Sequence, residues 1–281
     1  MAKERLDMLL VERGLAKSRE RARTMIMEGK VLVDGQKIEK AGTPVKLDAS
    51  ISLLGKDLPY VSRGGLKLEK ALAAFRLSLA GKTMADIGAS TGGFTDCALQ
   101  NGVRKVYAID VGYGQLAWKL RTDSRVKNME RTNIRHVTPD MLEEALDFAS
   151  IDVAFISLSK VLPAVRGLLT EQGEVAALIK PQFEAGRENI GKKGVVRDAG
   201  VHESVIREVF DAAMTAGFCV LALTYSPIKG PEGNIEYLMH LACAHDKKTI
   251  TCDVSTENIR EIVMAAHARL DKDRTEAKCL L

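Results

Sequence analysis

From residue 82 to residue 244 the chain alternates short apolar segments with stretches of helical character, and this alternation restricts the possible folds most. The apolar segments have the length and composition of strands, and they are KTMADIG, KVYAIDVG, IDVAFISL, VAALIKP, FCVLALTYS and IEYLMHLACA. Strands that alternate with helices are typical of βαβ units, in which helices cover both faces of a sheet. We therefore predict an α/β domain here.

The residues before this region follow another order of elements. A first helix buries Leu6, Leu9 and Leu10, and a second follows a capping Ser18. Val31, Val33 and Ile38 then alternate around Asp34-Gly35, which is a hairpin signal. Leu58-Pro59-Tyr60 breaks the pattern. We predict a small α+β domain over residues 1–58 and a second domain over 59–281, with a last helix at about 255–270 that Ser255 caps.

Composition excludes several classes of protein. The chain has 281 residues, of which 46% are hydrophobic and 28% charged, as in a globular protein. It contains no apolar run of about 18 residues and no signal segment at its start, so we expect a cytoplasmic protein without a membrane anchor. The five cysteines form no C-x-x-C pair, and neither they nor the histidines have zinc spacing. We expect no disulfide framework and no metal site.

Positive charge is concentrated at the N-terminal end. Residues 1–70 contain 15 Lys and Arg against 10 Asp and Glu, and the rest of the chain contains 26 against 27. A solvated helix face would look the same, but the excess favours an anionic partner. The candidate RNA-binding residues of this end are Arg5, Lys17, Arg19, Arg21, Arg23 and Lys30, and Arg13 lies among them.

The N-terminal segment LDMLLVERGLAKSRERARTMIMEGKVLVDGQKI resembles the ribosomal-protein S-four-type RNA-binding domain. The resemblance rests on the R-L-D-x-x-L start, the S-R-x-x-A-x-x-x-I helix and the G-x-V-x-V-x-G hairpin. It implies that this domain binds structured RNA through phosphate and shape contacts.

A glycine-rich turn follows the first strand of the second domain. ADIGASTGGF, residues 85–94, leads from a strand into a helix, where open α/β sheets bind nucleotides. Its spacing fits neither G-x-G-x-x-G nor the P-loop, and a tight turn without a ligand would also need glycines. Asp110 ends the next strand, where a carboxylate can accept both ribose hydroxyls of an adenosine.

These features favour S-adenosylmethionine, which offers adenosine without a pyrophosphate. The candidate cofactor-binding residues are Asp86, Gly88, Ala89, Ser90, Thr91, Gly92, Gly93, Phe94, Asp110, Val111 and Asn133.

The methyl acceptor follows partly from motifs that are absent. Methylation of cytosine carbon-5 needs a cysteine nucleophile, usually beside a proline, and no cysteine here adjoins one. The Asp/Asn-Pro-Pro-aromatic turn of many base-nitrogen methyltransferases is also missing. A ribose 2′-hydroxyl needs a base, and a lysine serves when it lies beside another cation in a partly buried site. Lys180 and Lys67 supply such a pair, which Asp152 and Glu236 would orient.

In this order, the blocks SRGGLKL, DIGASTGGFTD, AIDVGYGQL, FISL, IKPQFE and GPEGNIEYL are similar to the TlyA (hemolysin A) family of FtsJ-type ribosomal RNA 2′-O-methyltransferases. The resemblance implies a doubly wound Rossmann-like sheet of seven strands and a cytidine ribose in ribosomal RNA as acceptor. It also implies a catalytic tetrad of Lys67, Asp152, Lys180 and Glu236. The sequence D-V-A-F at Asp152 departs from the D-x-S-F that the family would lead us to expect.

The expected reaction is direct in-line methyl transfer with Lys180 as the base and no metal. Arg63 is a candidate for binding the methionine carboxylate or an RNA phosphate, and the basic segment 186–198 for closing on RNA. The alternatives are a non-catalytic RNA-binding factor of ribosome assembly and, with less support, a membrane-lytic protein. The target nucleotide, the ribosomal subunit and the oligomeric state stay open at the level of sequence.

Overall fold

The computed structural model describes residues 3–54, 58–191, 193–244, 246, 248 and 250–271. The chain divides into two compact units, Met1–Leu58 and Pro59–Leu281. Each unit has an apolar core of its own.

The first unit packs two helices against short antiparallel strands. Its elements are β1 (Lys3–Arg5), α1 (Leu6–Glu12), α2 (Arg19–Met27), β2 (Val31–Val33), β3 (Gln36–Lys37), β4 (Pro44–Lys46) and β5 (Ile51–Leu53). β1 pairs with β4, and β2 lies between β3 and β5. Ser18 Oγ accepts a hydrogen bond from the Arg21 amide and caps α2. Asp34 and Gly35 both have positive φ, as a two-residue hairpin turn requires, so the predicted hairpin is confirmed.

The second unit is a single mixed sheet covered by helices. Its elements are α3 (Gly65–Phe75), β6 (Thr83–Ile87), α4 (Gly93–Gln100), β7 (Lys105–Ile109), α5 (Trp118–Arg121), β8 (Val126–Met129), β9 (Leu146–Ile151), α6 (Leu162–Arg166), β10 (Leu169–Ile179), α7 (Pro181–Glu184), α8 (Ala199–Thr215), β11 (Phe218–Tyr225), β12 (Tyr237–Cys243) and α9 (Thr256–Leu270). Ser255 caps α9 through a reciprocal capping box with Asn258.

The strand order shows at which edge of the sheet a ligand is expected to bind. It runs β11-β12-β10-β9-β6-β7-β8, and β12 pairs antiparallel with both of its neighbours. From β6 the chain adds β7 and β8 on one side and then returns to add β9 and β10 on the other. Ligands of doubly wound sheets bind beyond the carboxyl ends of the strands at such a switch point. The predicted α/β class and doubly wound seven-stranded sheet are confirmed.

Alternation along the strands divides the core into two layers. In β6, Ala85 and Ile87 pack with α6, α8 and α9, whereas Met84 points to the opposite face and packs with α3, α4 and α5. Both faces of the sheet are therefore apolar, because successive side chains point to opposite sides. This explains why the strands are continuous apolar runs in the sequence.

One predicted strand was wrong in position. The segment IDVAFISL was expected to be a strand, but β9 ends at Ile151 and the residues after it form a loop and a 3-10 turn. The Asp152 amide still donates to the Ile87 carbonyl oxygen, but Phe155 then has a φ of 61°, which no strand accommodates. The strand is the preceding segment LDFASI, and the loop brings Asp152 to the carboxyl edge of the sheet.

Candidate active site

Four charged side chains from distant parts of the chain meet at the carboxyl edge of the sheet. Lys67 lies in the first half of α3, Asp152 follows β9, Lys180 follows β10, and Glu236 precedes β12. Lys180 Nζ lies 2.5 Å from Asp152 Oδ1. Lys67 Nζ lies 3.4 Å from Asp152 Oδ2 and 2.7 Å from Glu236 Oε2. The structure thus brings together the four residues of the predicted tetrad in a continuous row.

The charges in this row stabilise one another against burial. Burial alone would lower the pKa of Lys67, but the carboxylates of Asp152 and Glu236 outweigh it, so the Lys67 pKa is raised. Burial would likewise raise the pKa of Asp152, and the two lysines reverse this and lower it. Burial does raise the pKa of Glu236, although Lys67 opposes the shift. Lys67 is therefore an ammonium and Asp152 a carboxylate at neutral pH.

The glycine-rich turn lies beside this row because β6 and β9 are neighbours. Gly88 has a φ of 84°, and a Cβ built on it would lie 2.4 Å from the backbone oxygen of Asp152. Gly92 has a φ of 94°, and its Cβ would lie 2.3 Å from a methyl group of Leu120. Both positions need glycine, which adopts positive φ without strain and lets backbones approach closely. Ser90 has a positive φ of 48° in the same turn.

Asp110 anchors the turn from the end of β7. Its Oδ2 accepts a hydrogen bond of 2.8 Å from the Ser90 amide, and its Oδ1 accepts one of 2.7 Å from the Gly112 amide. An ionised carboxylate has about four lone-pair sites, so two acceptor sites remain for hydroxyl groups. The next residue, Val111, is 71% exposed and offers an apolar surface beside the carboxylate.

Three predicted cofactor residues have structural partners within the chain. Asp86 is fully buried and accepts hydrogen bonds from the amide and hydroxyl of Thr95 and from Ser150. Phe94 is buried in the core between the sheet and α3. Asn133 Oδ1 accepts a hydrogen bond from the Arg135 amide and caps a 3-10 turn. Asp86 therefore shapes the glycine-rich turn by binding Thr95 at the start of α4. Phe94 packs in the core next to the same turn.

An aromatic pair, of which one ring is exposed, adjoins Lys180 and was not predicted from the sequence. The rings of Phe155 and Phe183 have centroids 4.9 Å apart, and Lys180 Nζ lies 5.9 Å from the Phe183 ring. Phe155 is 91% exposed. The signal in the sequence is its place three residues after Asp152, but the apolar run around it favours a strand.

Two models of known protein families match parts of this chain. A family model described as FtsJ-like methyltransferase matches residues 60–243, which is more than half of the chain. The chain belongs to the FtsJ-like methyltransferase family. A second model, the S4 domain, matches residues 4–51.

Relatives of this FtsJ-like chain extend over nearly its whole length. A protein of Bacillus subtilis (strain 168) named "Putative rRNA methyltransferase YqxC" is 50% identical and covers 98% of both chains. The "16S/23S rRNA (cytidine-2'-O)-methyltransferase TlyA" of Mycobacterium tuberculosis (strain ATCC 25618 / H37Rv) is 42% identical over 86% of this chain and 91% of its own. A solved structure, "Putative hemolysin from Streptococcus thermophilus", matches with a TM-score of 0.78 and 48% identity over 98% of this chain and 99% of that one. The predicted resemblance to the TlyA family is confirmed.

In the S4 domain, arginines gather around one buried carboxylate. Asp7 is fully buried and accepts hydrogen bonds from Arg5 at 2.9 and 3.0 Å and from Arg19 at 2.9 Å. Arg23 Nε lies 3.9 Å from the same carboxylate. The guanidinium groups stay about half exposed, so they form a fixed basic surface. Asp7 was missed in the sequence because an acid beside a leucine on an amphipathic helix looks like a surface residue.

The other basic candidates of this end have different surroundings. Arg13 donates to the backbone oxygens of Ala49 and Leu47, and so it ties α1 to the turn before β5. Lys30 pairs with Glu28 at 2.7 Å, and Lys17 is exposed. Arg21 is partly buried beside the α2 cap.

In the FtsJ-like unit, the exposed Arg63 donates to the backbone oxygen of Lys229 at 3.2 Å, near the tetrad residue Glu236 in sequence. Within the described part of the chain, every helix is too short or too polar to cross a lipid bilayer. The same part contains no group of three His, Cys, Asp or Glu side chains placed to hold a metal ion.

Proposed function

We propose that this chain transfers a methyl group from S-adenosylmethionine to the 2′-oxygen of a cytidine ribose in ribosomal RNA, with Lys180 as the general base. The observation that carries the proposal is the row formed by Lys67, Asp152, Lys180 and Glu236 beside the glycine-rich turn. The relative from Mycobacterium tuberculosis is named a cytidine-2'-O-methyltransferase, which supports the choice of a cytidine 2′-oxygen as acceptor.

The residues around the turn fit S-adenosylmethionine. Gly88 and Gly92 let the turn pack closely against the Asp152 backbone and Leu120, and this packing shapes the backbone of the turn. The half-buried Asp110 has acceptor sites for the ribose hydroxyls, and Val111 offers a surface for the adenine. When bound, the cofactor supplies the methyl group, whose bond to sulfur breaks as the ribose oxygen bonds to its carbon.

Side chains of this protein carry out the transfer of the proton from the ribose 2′-hydroxyl. Asp152 holds Lys180 at 2.5 Å and so fixes its Nζ at the carboxyl edge, where the ribose enters. Lys180 Nζ takes the proton of the 2′-hydroxyl as that oxygen attacks, which is general base catalysis. Lys67 lies between Asp152 and Glu236 and stays charged, so it keeps Asp152 in place through the reaction. Alignment of the acceptor supplies most of the remaining acceleration.

The S4 domain supplies the affinity for RNA in this proposal. Arg5, Arg19 and Arg23 present three guanidinium groups that Asp7 holds together. Guanidinium groups bind phosphate oxygens with defined geometry, so such a surface suits the RNA backbone. Phe155 offers an exposed ring near Lys180 for an unstacked base.

The test replaces Lys180 with Ala. We expect K180A to lose methyl transfer to ribosomal RNA by at least about 10²-fold, as is typical for the removal of a general base. Binding of S-adenosylmethionine, measured by calorimetry, should stay within about threefold, because the cofactor turn does not include Lys180. Mapping of 2′-O-methyl groups in the product RNA identifies the modified nucleotide.

The matched control is K127A, because Lys127 is an exposed lysine on the edge strand β8. K127A should methylate like the wild type. Undiminished transfer by K180A would refute the role of the lysine. If the wild type bound no S-adenosylmethionine at all, a non-catalytic role as an RNA-binding factor of ribosome assembly would be favoured over methyl transfer.

A further inference from the structure

Glu236 is held by its ion pair with Lys67 and by the backbone next to it in the chain. Its Oε2 is buried and lies 2.7 Å from Lys67 Nζ. A Cβ built on Gly230 would lie 2.7 Å from Glu236 Oε1, so the loop before it closes tightly over the carboxyl group. The position of this carboxyl group therefore depends on the backbone on either side of it.

Both flanks of Glu236 are tied to one segment of the chain, residues 194–196. On one flank, the buried Asn234 accepts a hydrogen bond from the Val196 amide at 3.0 Å and donates one to the Gly194 oxygen at 2.9 Å. On the other flank, the Tyr237 hydroxyl lies 2.8 Å from Nδ1 of His202. Nε2 of His202 lies 3.1 Å from the Val196 oxygen.

The protonation of His202 suits this bridge. Burial lowers its pKa to about 4, so the ring is neutral at physiological pH. A neutral imidazole has one donor and one acceptor. Its Nε2–H then donates to the Val196 oxygen, and its Nδ1 is the acceptor, with the Tyr237 hydroxyl at 2.8 Å and Nε2 of His267 at 3.1 Å. Both backbone groups of Val196 thus have a buried side-chain partner. Asn234, on one flank of Glu236, binds the amide directly, and His202, which contacts Tyr237 on the other flank, binds the oxygen.

Packing and hydrogen bonds both join these segments. Val196 and Ile235 are buried in the same apolar core. An open pocket of about 210 Å³ adjoins them, and its lining includes Val195, Val196, Gly233, Ile235, His267 and Asp271. The hydrogen bonds of Asn234 therefore connect two segments that are also in apolar contact. The loss of a buried hydrogen-bond partner destabilises the group that is left unpaired.

We propose that Asn234 is a positioning residue, which fixes Glu236 beside Lys67 by joining the loop before it to residues 194–196, with His202 joining the other flank. Residues 194–196 follow Lys180 in the chain, so the link also connects the segments that carry two tetrad members. The inference rests on the proposed function, because it assigns Glu236 to the catalytic row. A misplacement of about 1 Å at such a site can cost about 10²-fold in rate.

The test compares Asn234→Ala with the wild-type full-length protein. We expect kcat for methyl transfer, counted per S-adenosylmethionine-binding site, to fall at least about tenfold, while the Kd for the cofactor changes less than about threefold. Hydrogen exchange at the Val196 amide should become faster. Asn234→Asp, which keeps the shape of the side chain but loses the donor to Gly194, should shift kcat in the same direction and serves if Asn234→Ala does not fold.

The control is Thr83→Val. Thr83 is fully buried and accepts a hydrogen bond of 2.6 Å from Arg104, but it lies at the opposite, amino end of β6. This variant should lose stability and keep the wild-type kcat per binding site. An unchanged kcat in both Asn234 variants, or unchanged protection of the Val196 amide, would overturn the positioning role. Absence of methyl transfer by the wild type would instead overturn the proposed function, and the exchange experiment would still decide whether the link exists.

Discussion

Asp7 illustrates how one buried side chain organises several exposed ones. Hydrogen bonds from Arg5 lower its pKa to about 2 against the effect of burial, and Arg19 lowers it further. The carboxylate is therefore ionised at all physiological pH values. Each arginine that it binds has less freedom to lose when a phosphate arrives, so Asp7 prepares the surface for an anion although it is itself negative.

Asp7→Asn separates this effect from that of net charge. The variant gains one positive charge, which alone would strengthen RNA binding. We expect the opposite, a loss of about three- to tenfold in affinity for a ribosomal RNA fragment, because the arginines lose a charge-assisted partner worth about 1–2 kcal/mol. Filter binding at fixed salt measures it.

Asp48→Asn is the matched control, since Asp48 is an exposed acid of the same S4 domain and the change in net charge is identical. It should bind RNA as well as the wild type or slightly better. Equal gains in both variants would show that Asp7 acts only through its charge. Circular dichroism checks that each variant is folded.

At the scale of elements, the site depends on the close approach of β6 and β9. The turn after β6 can pass the start of the Asp152 loop only because Gly88 has no side chain. The geometry that shapes the cofactor turn therefore also sets the position of a tetrad residue. The sequence shows the glycines, but not that the neighbouring backbone belongs to Asp152.

Gly88→Ala should consequently impair two functions at once. The strained φ costs about 1–2 kcal/mol, and the contact of the new methyl group with the Asp152 backbone forces one of the segments to move. We expect weaker binding of S-adenosylmethionine in calorimetry and, at saturating cofactor, a methyl-transfer rate reduced by at least about tenfold.

Gly81→Ala provides the control for strain alone. Gly81 has a φ of 73°, but a Cβ built there meets nothing within 4 Å. This variant should melt at a lower temperature and retain cofactor affinity and rate. If Gly88→Ala and Gly81→Ala had the same cofactor affinity and methyl-transfer rate, the close approach at Gly88 would not matter for function.

At the scale of the whole molecule, buried ionisable groups link stability to pH. Burial raises the pKa of Asp86 from its ordinary value near 4 to about 6, although Thr95 opposes the shift. The folded protein therefore binds this proton more tightly than the unfolded chain. The contribution of Asp86 to stability is complete below pH 4 and is lost as the pH rises through 6.

Asp86→Asn should remove this dependence. A shift of about two pKa units corresponds to about 3 kcal/mol, so the free energy of unfolding of the variant, relative to the wild type, should rise by up to that amount between pH 4 and pH 7. Urea denaturation of both full-length proteins at each pH measures it, and the other titrating groups cancel in the difference. A difference that does not change with pH would contradict the prediction.

The sequence alone was sufficient for the fold class, for the family resemblance and for most of the element order, because these depend on local patterns. The short strand β8 was not among the predicted apolar segments. Periodic leucines, capping serines and glycine turns act within a few residues. The four residues of the predicted tetrad could also be selected from the sequence, since each stands in a recognisable block; their catalytic roles stay a prediction. The loop at Asp152 was mistaken for a strand, because an apolar run does not show where hydrogen bonding to the neighbouring strand stops.

Only the tertiary structure decided what these residues touch. Lys67 and Glu236 are far apart in the sequence of the FtsJ-like unit, but their side chains are in contact. The Asp86 carboxylate accepts hydrogen bonds from Thr95 and Ser150. Arg13 donates to the backbone of its own domain. Burial and hydrogen bonding depend on residues that are distant in the chain and adjacent in space. The sequence therefore determined which side chains are available for chemistry, and the packing of the sheet determined which of them meet.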